Sequence, residues 1–249
     1  MLKEERHNTI LDGIRQQGKV LTLDLSQVLG VSEDTIRRDL KELADLGLVR
    51  KVHGGAVPAS LNPFRYEERE VYAHEEKITI AEKASLLFRD GQVVLMDGGT
   101  TNLELARRFP DTLRITLITN SLPVAQVLAD HPAVETMLLG GKLLKSARVT
   151  VGPPVIESLA GIRADVCVLG TRSIHPQLGI SEIDWDETQV KRAMLQAAHE
   201  VMALVITEKV GGVNPYLIGD PRKLTTLVTR DGKRNPLFRP FADFGIEIL

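Results

Sequence analysis

The sequence is poor in the residues that stabilise secreted proteins and that span membranes. It contains one cysteine, Cys167, in 249 residues, which excludes a disulfide framework within the chain. Aromatic residues make up 4% of the chain, and there is one tryptophan. No apolar run approaches the roughly 18 residues of a membrane span, and the N-terminal residues are charged, unlike those of a secretory signal. We therefore expect a cytoplasmic protein.

A basic excess, which is common in nucleic-acid-binding proteins, is also missing. The net charge is −2, from 31 basic and 33 acidic residues. The basic residues near the N-terminus are nevertheless concentrated in two stretches, 37–41 and 50–53. What the chain does have is a hydrophobic share of 43% and a length that fits two domains or one large domain.

Residues 22–40, TLDLSQVLGVSEDTIRRDL, predict two short helices joined by a tight turn. Thr22 is expected to cap the first helix, Gly30 to end it, and Ser32 to cap the second. The apolar residues expected to face a core are Leu25, Val28, Leu29, Ile36, Leu40 and Leu43. The second helix would then point its Arg-Arg pair outward, as a helix that enters a DNA major groove does. The alternative is a pair of core helices with a solvated charged face.

The residues after this motif favour DNA binding. Residues 48–53, LVRKVH, alternate like a strand, Gly54-Gly55 predicts a tight turn, and residues 19–21 are a candidate partner strand. Three helices with such a basic flap form a winged helix. The predicted DNA-contacting residues are Ser32, Thr35, Arg37, Arg38, Lys41, Arg50, Lys51 and His53.

The second half alternates between short apolar strands and helices. The predicted strands are 93–96, 115–118, 134–139, 166–169, 201–206, 224–228 and 246–249. The predicted helices are 75–89, 102–108, 123–129, 154–159 and 186–199. This alternation indicates an α/β domain with a mostly parallel sheet covered on both faces. A proline-containing linker at 58–74, with a possible helical arm at 64–72, separates it from the winged helix.

Five loops that follow predicted strands share one chemistry of glycine, hydroxyl and cation, and they are 97–101, 119–121, 140–142, 170–173 and 207–209. Any one of them alone would usually only form a turn. In a parallel sheet, however, they meet at the edge where ligands bind. The sequence DGGTTN, opening a helix with Thr100 and Thr101, predicts a phosphate-binding loop. Neither GxGxxG nor GxxxxGK[ST] is present, which argues against a dinucleotide fingerprint and an ATP-hydrolysing loop.

The order EERHNTIL, then GVSEDTIRRDLKELADLGLVRKVHGGA, closely resembles the DNA-binding domain of the DeoR family of bacterial transcription regulators. The second half resembles the family's effector domain in the segments EEKITIAEKASLLFRDGQVVLMDGGTTNLELA, ITNSLPVAQVLA, LLGGKL, VGP, ADVCVLGT and ETQVKRAML. The resemblance implies a winged helix-turn-helix domain at 1–57, a linker or arm at 58–74 and a sugar-phosphate-sensing domain at 75–249. That last domain would be a Rossmann-like sheet similar to ribose-5-phosphate isomerase.

By this resemblance the effector is a phosphorylated sugar or sugar derivative, with its phosphate at Gly99, Thr100 and Thr101. The implied effector-binding residues are Asp97, Gly98, Gly99, Thr100, Thr101, Asn120, Ser121, Gly140, Gly141, Gly170, Arg172, Lys191 and Lys209. Lys191 has an alternative reading as a helix-surface residue or an ion-pair partner. The chain departs from the family pattern at 171–173 and 207–209, and Trp185 lies on a loop expected to border the site.

The favoured function is a ligand-responsive DNA-binding regulator, a repressor of a carbohydrate-utilisation operon that acts as a homodimer or homotetramer on operator DNA. One alternative is a sugar-phosphate isomerase or deaminase with an appended helical domain. Another is a redox sensor that binds NAD. We identify no catalytic acid/base pair, and we expect no metal and no cofactor. The sequence does not specify the sugar, the operator or the sign of regulation.

Overall fold

The structure is a computed structural model that describes residues 2–17, 19–45, 48–52, 54–58 and 66–249. The chain divides into two compact units, Met1–His74 and Glu75–Leu249. Among the residues described, no helix is both long enough and apolar enough to cross a membrane.

The first unit contains four helices and a small three-stranded sheet, whose first strand lies between the first two helices. The helices are α1 Lys3–Gln17, α2 Thr22–Leu29, α3 Glu33–Asp45 and α4 Tyr66–Val71. The strands are β1 Val20–Leu21, β2 Val49–Val52 and β3 Gly55–Pro58, in the antiparallel order β1-β3-β2. The side chains that share its core are Ile10, Ile14, Val20, Leu25, Leu29, Ile36, Leu40, Leu43, Val49 and Ala56.

Three expectations for this unit were wrong. The strand at residues 19–21 does not pair with LVRKVH; Val20 and Leu21 pair with Ala56 and Gly55 of β3, which lies between the other two strands. Val28 was expected to face the core but is 77% exposed, because it lies on the outer side of α2 while Leu25 and Leu29 are buried. Gly30 does end α2, in the left-handed conformation at φ 64° that favours glycine. The expected cap at Thr22 was wrong, because Thr22 is the first helical residue, Leu21 holds the cap position, and no side chain caps α2 there.

The second unit is built on a seven-stranded parallel sheet in the order β15-β14-β12-β9-β4-β5-β6. Its strands are β4 Val93–Met96, β5 Thr116–Thr119, β6 Glu135–Leu138, β9 Ala164–Leu169, β12 Ala198–Leu204, β14 Thr226–Val228 and β15 Glu247–Ile248. The helices are α5 His74–Ser85, α6 Thr100–Ala106, α7 Leu122–Leu128, α8 Pro153–Ala160, α9 Trp185–Gln196 and α10 Arg239–Ala242. Every strand and helix predicted in this half is present, and no end is shifted by more than four residues.

Two small antiparallel sheets were not predicted. Strands β7 Lys142–Leu144 and β8 Val149–Val151 form a hairpin, and β10 Ser173–His175, β11 Gly179–Glu182 and β13 Tyr216–Gly219 form a three-stranded sheet. These strands have three or four residues each, and β11 is buried along its whole length, so they show no clean alternation of apolar and polar residues. Both sheets pack beside the main sheet and contribute residues to its polar edge.

Candidate functional sites

The exposed face of α3 carries the predicted recognition residues. Ser32 precedes the helix, and its Oγ accepts a hydrogen bond from the backbone N–H of Thr35 at 3.2 Å, which is the expected cap. Ile36 and Leu40 are buried beneath the helix. Four of the eight predicted DNA-contacting side chains are exposed around this helix, namely Ser32, Arg37, Arg38 and Lys41. Thr35 is half-buried, and its Oγ1 lies 2.9 Å from the Oγ of Ser32.

A buried ion pair holds α3 against α1, and sequence reasoning missed it. Asp39 is 3% exposed and accepts hydrogen bonds from Arg6 at 2.8 Å (Nε) and 3.0 Å (Nη2), while His7 lies 3.2 Å away. Burial alone would raise the pKa of Asp39, but the hydrogen bonds and charge of Arg6 outweigh it and lower that pKa. The pair fixes the helix whose other face is basic.

The wing, formed by the antiparallel strands β2 and β3, lies beside α3. Residues Arg37 of α3 and Lys51 of β2 line one cleft of about 400 Å³, and its remaining lining residues are Thr22, Leu23, Glu33, Leu40, Val52, Gly54 and Gly55. Arg50 lies on β2 by its backbone, and His53 is outside the described residues. Arg37, predicted to contact DNA bases, and Lys51, predicted to contact the DNA phosphates, therefore line the same cleft.

In the second unit, all the predicted effector residues except Lys191, which lies on α9, follow the carboxyl ends of parallel strands. The strand order reverses at β4, since β5 and β6 lie on one side of it and β9, β12, β14 and β15 lie on the other. Such a switch point opens a crevice between the loops of adjacent strands, and ligands of open α/β sheets bind there. In this unit the loops that flank the switch point are the one after β4, at Asp97, and the one after β9, at Gly170.

Asp97 is fully buried at this switch point. Its Oδ2 accepts a hydrogen bond from the backbone N–H of Gly170 at 3.0 Å and lies 3.6 Å from Nζ of Lys191. Its Oδ1 has no hydrogen-bond partner in the part of the chain that is described. Burial raises the pKa of Asp97, Lys191 partly opposes this, and the pKa is about 6.

Lys191 is the centre of a buried charge cluster. Its Nζ lies 2.6 Å from Glu182, 2.8 Å from Glu187 and 3.6 Å from Asp97, and its side chain is 4% exposed. Burial alone would lower the pKa of Lys191, but the three carboxylates outweigh it and raise that pKa. Arg172 Nε lies 3.8 Å from Glu182. The expectation of an ion-pair partner is therefore confirmed for Lys191, whereas a position on the helix surface is wrong.

Close backbone packing accounts for several glycines at this edge. A Cβ on Gly170 would lie 2.4 Å from the carbonyl oxygen of Gly98, and a Cβ on Gly98 would lie 2.2 Å from Cγ1 of Val149. A Cβ on Gly141 would lie 2.8 Å from the carbonyl oxygen of Val151. Gly140, by contrast, has open space around it. Three of the predicted ligand glycines are thus required by packing, whatever else they contact.

Asn120 and Ser121 continue this edge after β5. Asn120 is fully buried and donates from Nδ2 to the carbonyl oxygen of Thr150 at 3.1 Å. The Oγ of Ser121 accepts from the backbone N–H of Val124 at 3.4 Å, which caps α7. Both side chains therefore have structural partners, and Asn120 Oδ1 has none among the described residues.

Four buried polar atoms follow three adjacent strands, β4, β5 and β9, and have no hydrogen-bond partner within the described ranges. They are Asp97 Oδ1, Thr101 Oγ1, Asn120 Oδ1 and Thr171 Oγ1. Each belongs to a residue that is at most 5% exposed. Buried polar groups are nearly always hydrogen-bonded, so such a concentration at one sheet edge points to a polar ligand.

The remaining predicted residues lie on the loops beside this cluster. Lys209, in a short 3-10 helix after β12, donates from Nζ to the carbonyl oxygen of Thr171 at 2.5 Å. Thr100 is buried at the start of α6, and Gly99 before it has a positive φ of 124°. The strand ends thus bring 97–101, 120–121 and 170–172 together, while Gly140 and Gly141 are exposed.

Sequence reasoning missed Glu182 as a site residue. It lies on β11, which was not predicted, and nothing in its local sequence marks it as buried. The pairing of Glu187 with Lys191 could have been found, because four-residue spacing places two side chains on one helix face. Over the described residues, no group of three His, Cys, Asp or Glu side chains could hold a metal ion.

Comparisons with known proteins match both units. A family model described as "DeoR-like helix-turn-helix domain" matches residues 6–61, and one described as "DeoR C terminal sensor domain" matches residues 72–231. The chain is 34% identical to the HTH-type transcriptional repressor GlcR of Bacillus subtilis, covering 100% of this chain and 96% of that protein. It is 32% identical to the glycerol-3-phosphate regulon repressor of Escherichia coli, covering 85% and 84% respectively.

The fold also matches solved structures at low sequence identity. The translation initiation factor eIF-2B of Pyrococcus horikoshii aligns with a TM-score of 0.51 and 14% identity, covering 91% of this chain and 95% of that one. Ribose 5-phosphate isomerase A of Methanocaldococcus jannaschii aligns over 55% of this chain and 54% of that chain, with 17% identity and a TM-score of 0.39. The first of these alignments supports the α/β fold alone.

Proposed function

Because this chain belongs to the DeoR family of transcriptional regulators, we propose that it represses a carbohydrate-utilisation operon and releases its operator when a phosphorylated sugar or sugar derivative binds. Like its relatives, which are named as transcriptional regulators or repressors, it is a DNA-binding regulator and not an enzyme. Two of those relatives are named as repressors, one of them of a glycerol-3-phosphate regulon. The operator-binding surface is α3 with the wing, and the effector site is the switch point of the parallel sheet.

The buried polar cluster at the switch point carries this proposal. A structural core would not leave Asp97, Thr101, Asn120 and Thr171 with buried oxygens that lack partners among the described residues. The hydroxyls of a sugar can donate to the carboxylate and amide oxygens and exchange hydrogen bonds with the hydroxyl of Thr171, while the hydroxyl of Thr101 can donate to the phosphate. The phosphate group is assigned to Gly99, Thr100 and Thr101, and Lys191 and Lys209 lie beside the sugar in this arrangement.

The response to effector follows from two arrangements of the protein with different affinities for DNA. An effector that binds the arrangement with low DNA affinity more tightly shifts the population toward it and weakens operator binding. Operators of helix-turn-helix proteins contain paired half-sites, so the functional species is a homodimer or a homotetramer. It acts in the cytoplasm, where operator DNA is accessible.

Fluorescence anisotropy tests this function directly. The purified chain is titrated onto DNA from its own upstream region at fixed salt, with and without sugar phosphates and their unphosphorylated parents. Specific binding that one phosphorylated compound releases supports the whole proposal. Specific binding that ignores every compound would retain the regulator and contradict the effector site, and sequence-independent binding would contradict operator recognition itself.

A further inference from the structure

The guanidinium group of Arg37 is held by two acidic residues of its own helix. Nη2 of Arg37 lies 2.9 Å from Oε2 of Glu33, and Nη1 lies 3.1 Å from Oδ1 of Asp34. The three side chains are exposed, at 60% for Arg37, 42% for Glu33 and 74% for Asp34. Both terminal nitrogens of the fork therefore have a carboxylate partner in the protein without DNA.

The adjacent arginine provides an internal contrast. Arg38 is also exposed on α3, and it has no ion pair within the described portion of the chain. Both arginines precede Asp39, whose carboxylate is occupied by Arg6 and His7. Glu33 and Asp34 therefore pair with Arg37 and leave Arg38 without a carboxylate partner among the described residues.

Carboxylates at this position are unfavourable for binding DNA in general. The first turn of a recognition helix contacts base edges, close to two phosphate chains that repel negative charge. Glu33 lines the cleft between α3 and the wing together with Arg37 and Lys51. Negative charge in the first turn also stabilises a helix, and Glu33 and Asp34 lie in the first turn of α3. A test of any role in DNA binding must therefore be separated from this purely structural effect.

We propose that Glu33 and Asp34 are specificity residues of the operator-binding surface, which hold Arg37 for one guanine and weaken binding to all other DNA. This inference rests on the proposed reading of bases by α3. A guanine presents two acceptors, N7 and O6, that match two donors of an arginine fork. Each terminal nitrogen of Arg37 carries two N–H groups, so the fork can contact a guanine while its remaining donors stay on the two carboxylates.

The same contacts reduce binding to other sequences in two ways. Where no guanine is available, Arg37 stays on Glu33 and Asp34 and does not extend to a phosphate. In addition, the two negative charges offset part of the attraction that Arg38, Lys41 and Lys51 exert on any DNA backbone. These residues therefore raise the ratio of the affinity for the operator to the affinity for other DNA.

The experiment selects bound sequences from a random duplex library with the full chain at fixed salt. The wild type is compared with the double variant Glu33→Gln/Asp34→Asn and with a matched control, Glu4→Gln/Glu42→Gln, which removes two negative charges from α1 and the later part of α3. We expect the wild type and the control to enrich one motif with a strong guanine preference. The double variant should lose that preference at one position of each half-site.

Affinities for random DNA complete the test. We expect the double variant to bind random DNA roughly fivefold more tightly than the wild type, with a steeper salt dependence, and the control to change by less. In an Arg37→Ala background, the same two acid-to-amide changes should no longer alter base preference. Helicity and melting temperature, followed by circular dichroism, report the structural role.

The contrary outcomes are distinct. An unchanged guanine preference and specificity ratio in the double variant, or a parallel loss of both affinities with a lower melting temperature, would overturn the inference and leave the regulator intact. Base preference that still changes in the Arg37→Ala background would show that the carboxylates read bases directly, which also overturns it. A wild type that enriches no motif would overturn operator recognition as well.

Discussion

The backbone N–H of Gly170 donates a hydrogen bond to Oδ2 of Asp97 at 3.0 Å, and this contact joins the ends of β9 and β4 at the point where the strand order reverses. The same carboxylate faces Lys191 at 3.6 Å. A structural contact between two strands and the charge cluster of the proposed effector site therefore share one carboxyl group. Changes at either residue should affect both stability and response.

Gly170→Ala should destabilise the second unit. The added methyl group would lie 2.4 Å from the carbonyl oxygen of Gly98, which is backbone, and 2.5 Å from Oδ2 of the buried Asp97 side chain. We expect a loss of about 1 to 3 kcal/mol in the free energy of unfolding, measured by urea denaturation. Gly161→Ala is the control, because its methyl group would meet nothing closer than 3.8 Å. Equal stability of the two variants would contradict this packing.

Asp97 should make the stability of the protein depend on pH. A carboxyl group with a higher pKa in the folded state, here about 6 against an ordinary 3.8, binds its proton more tightly when folded. Its contribution to folding is therefore fully present below pH 3.8 and is lost as the pH rises through about 6. The difference corresponds to about 3 kcal/mol as an order of magnitude.

Urea unfolding of wild type and Asp97→Asn between pH 4.5 and 7.5, as a rough range around that pKa, measures this effect. Other carboxylates, among them Asp39 and Glu104, have lowered pKa values and lose stability as the pH falls, so only the difference between the two proteins is informative. We expect that difference to change in favour of the wild type as the pH falls through about 6. A difference in unfolding free energy between the two proteins that does not change with pH across this range would show that Asp97 does not bind a proton near pH 6.

The parallel sheet could be predicted from the sequence because its strands are contiguous apolar runs, such as 93–96 and 166–169, separated by helices. The loop at Asp97 followed from that prediction, since the carboxyl ends of parallel strands share an edge. Glu182 could not be found in this way. Its burial is possible only because Lys191, nine positions later and on a different element, lies 2.6 Å away.

The prediction of how the winged-helix strands pair was wrong for a related reason. A two-residue strand such as β1 carries no pattern that distinguishes its partner, and it pairs with β3 because the close approach of Gly55 permits it. A Cβ on Gly55 would lie 2.0 Å from the carbonyl oxygen of Val20. Contacts between residues far apart in sequence are decided by such packing, which local propensity does not report.

Lys191→Met should be among the most destabilising substitutions in the chain. It would remove the one cation among the described residues that lies within 4 Å of all three carboxylates, Glu182, Glu187 and Asp97, and would leave buried negative charges uncompensated. We expect a loss of about 3 to 5 kcal/mol. Lys142→Met breaks an exposed pair with Asp186 and should cost about 1 kcal/mol or less. Similar losses in the two variants, measured by urea unfolding, would show that the cluster is not structurally important.

Arg37 and Lys51 should differ in what they contribute to DNA binding, although both line the same cleft. Arg37→Ala is expected to cost about 1 to 3 kcal/mol on the operator and to relax the preference at one base position. Lys51→Ala should weaken all sequences alike and reduce the salt dependence by about one phosphate contact. Anisotropy on operator and random DNA at several salt concentrations distinguishes them, and equal losses on both DNAs for Arg37→Ala would argue against base reading.

Thr101→Val should raise stability while it reduces the effector response. The Oγ1 of Thr101 is buried and has no partner in the described structure, so replacing the hydroxyl with a methyl group of similar size removes an unsatisfied polar group. We expect a gain of roughly 1 kcal/mol. Because the same hydroxyl is assigned to the effector phosphate, the variant should still bind the operator and need at least about tenfold more sugar phosphate for release, which is about 1.4 kcal/mol of binding. The control is Thr150→Val, whose Oγ1 donates to the carbonyl oxygen of Leu139 at 2.6 Å, so that variant should lose stability instead. A Thr101→Val protein that is no more stable than the wild type would mean that this hydroxyl has a partner in the folded protein. A variant that responds to effector normally would mean that the phosphate binds elsewhere.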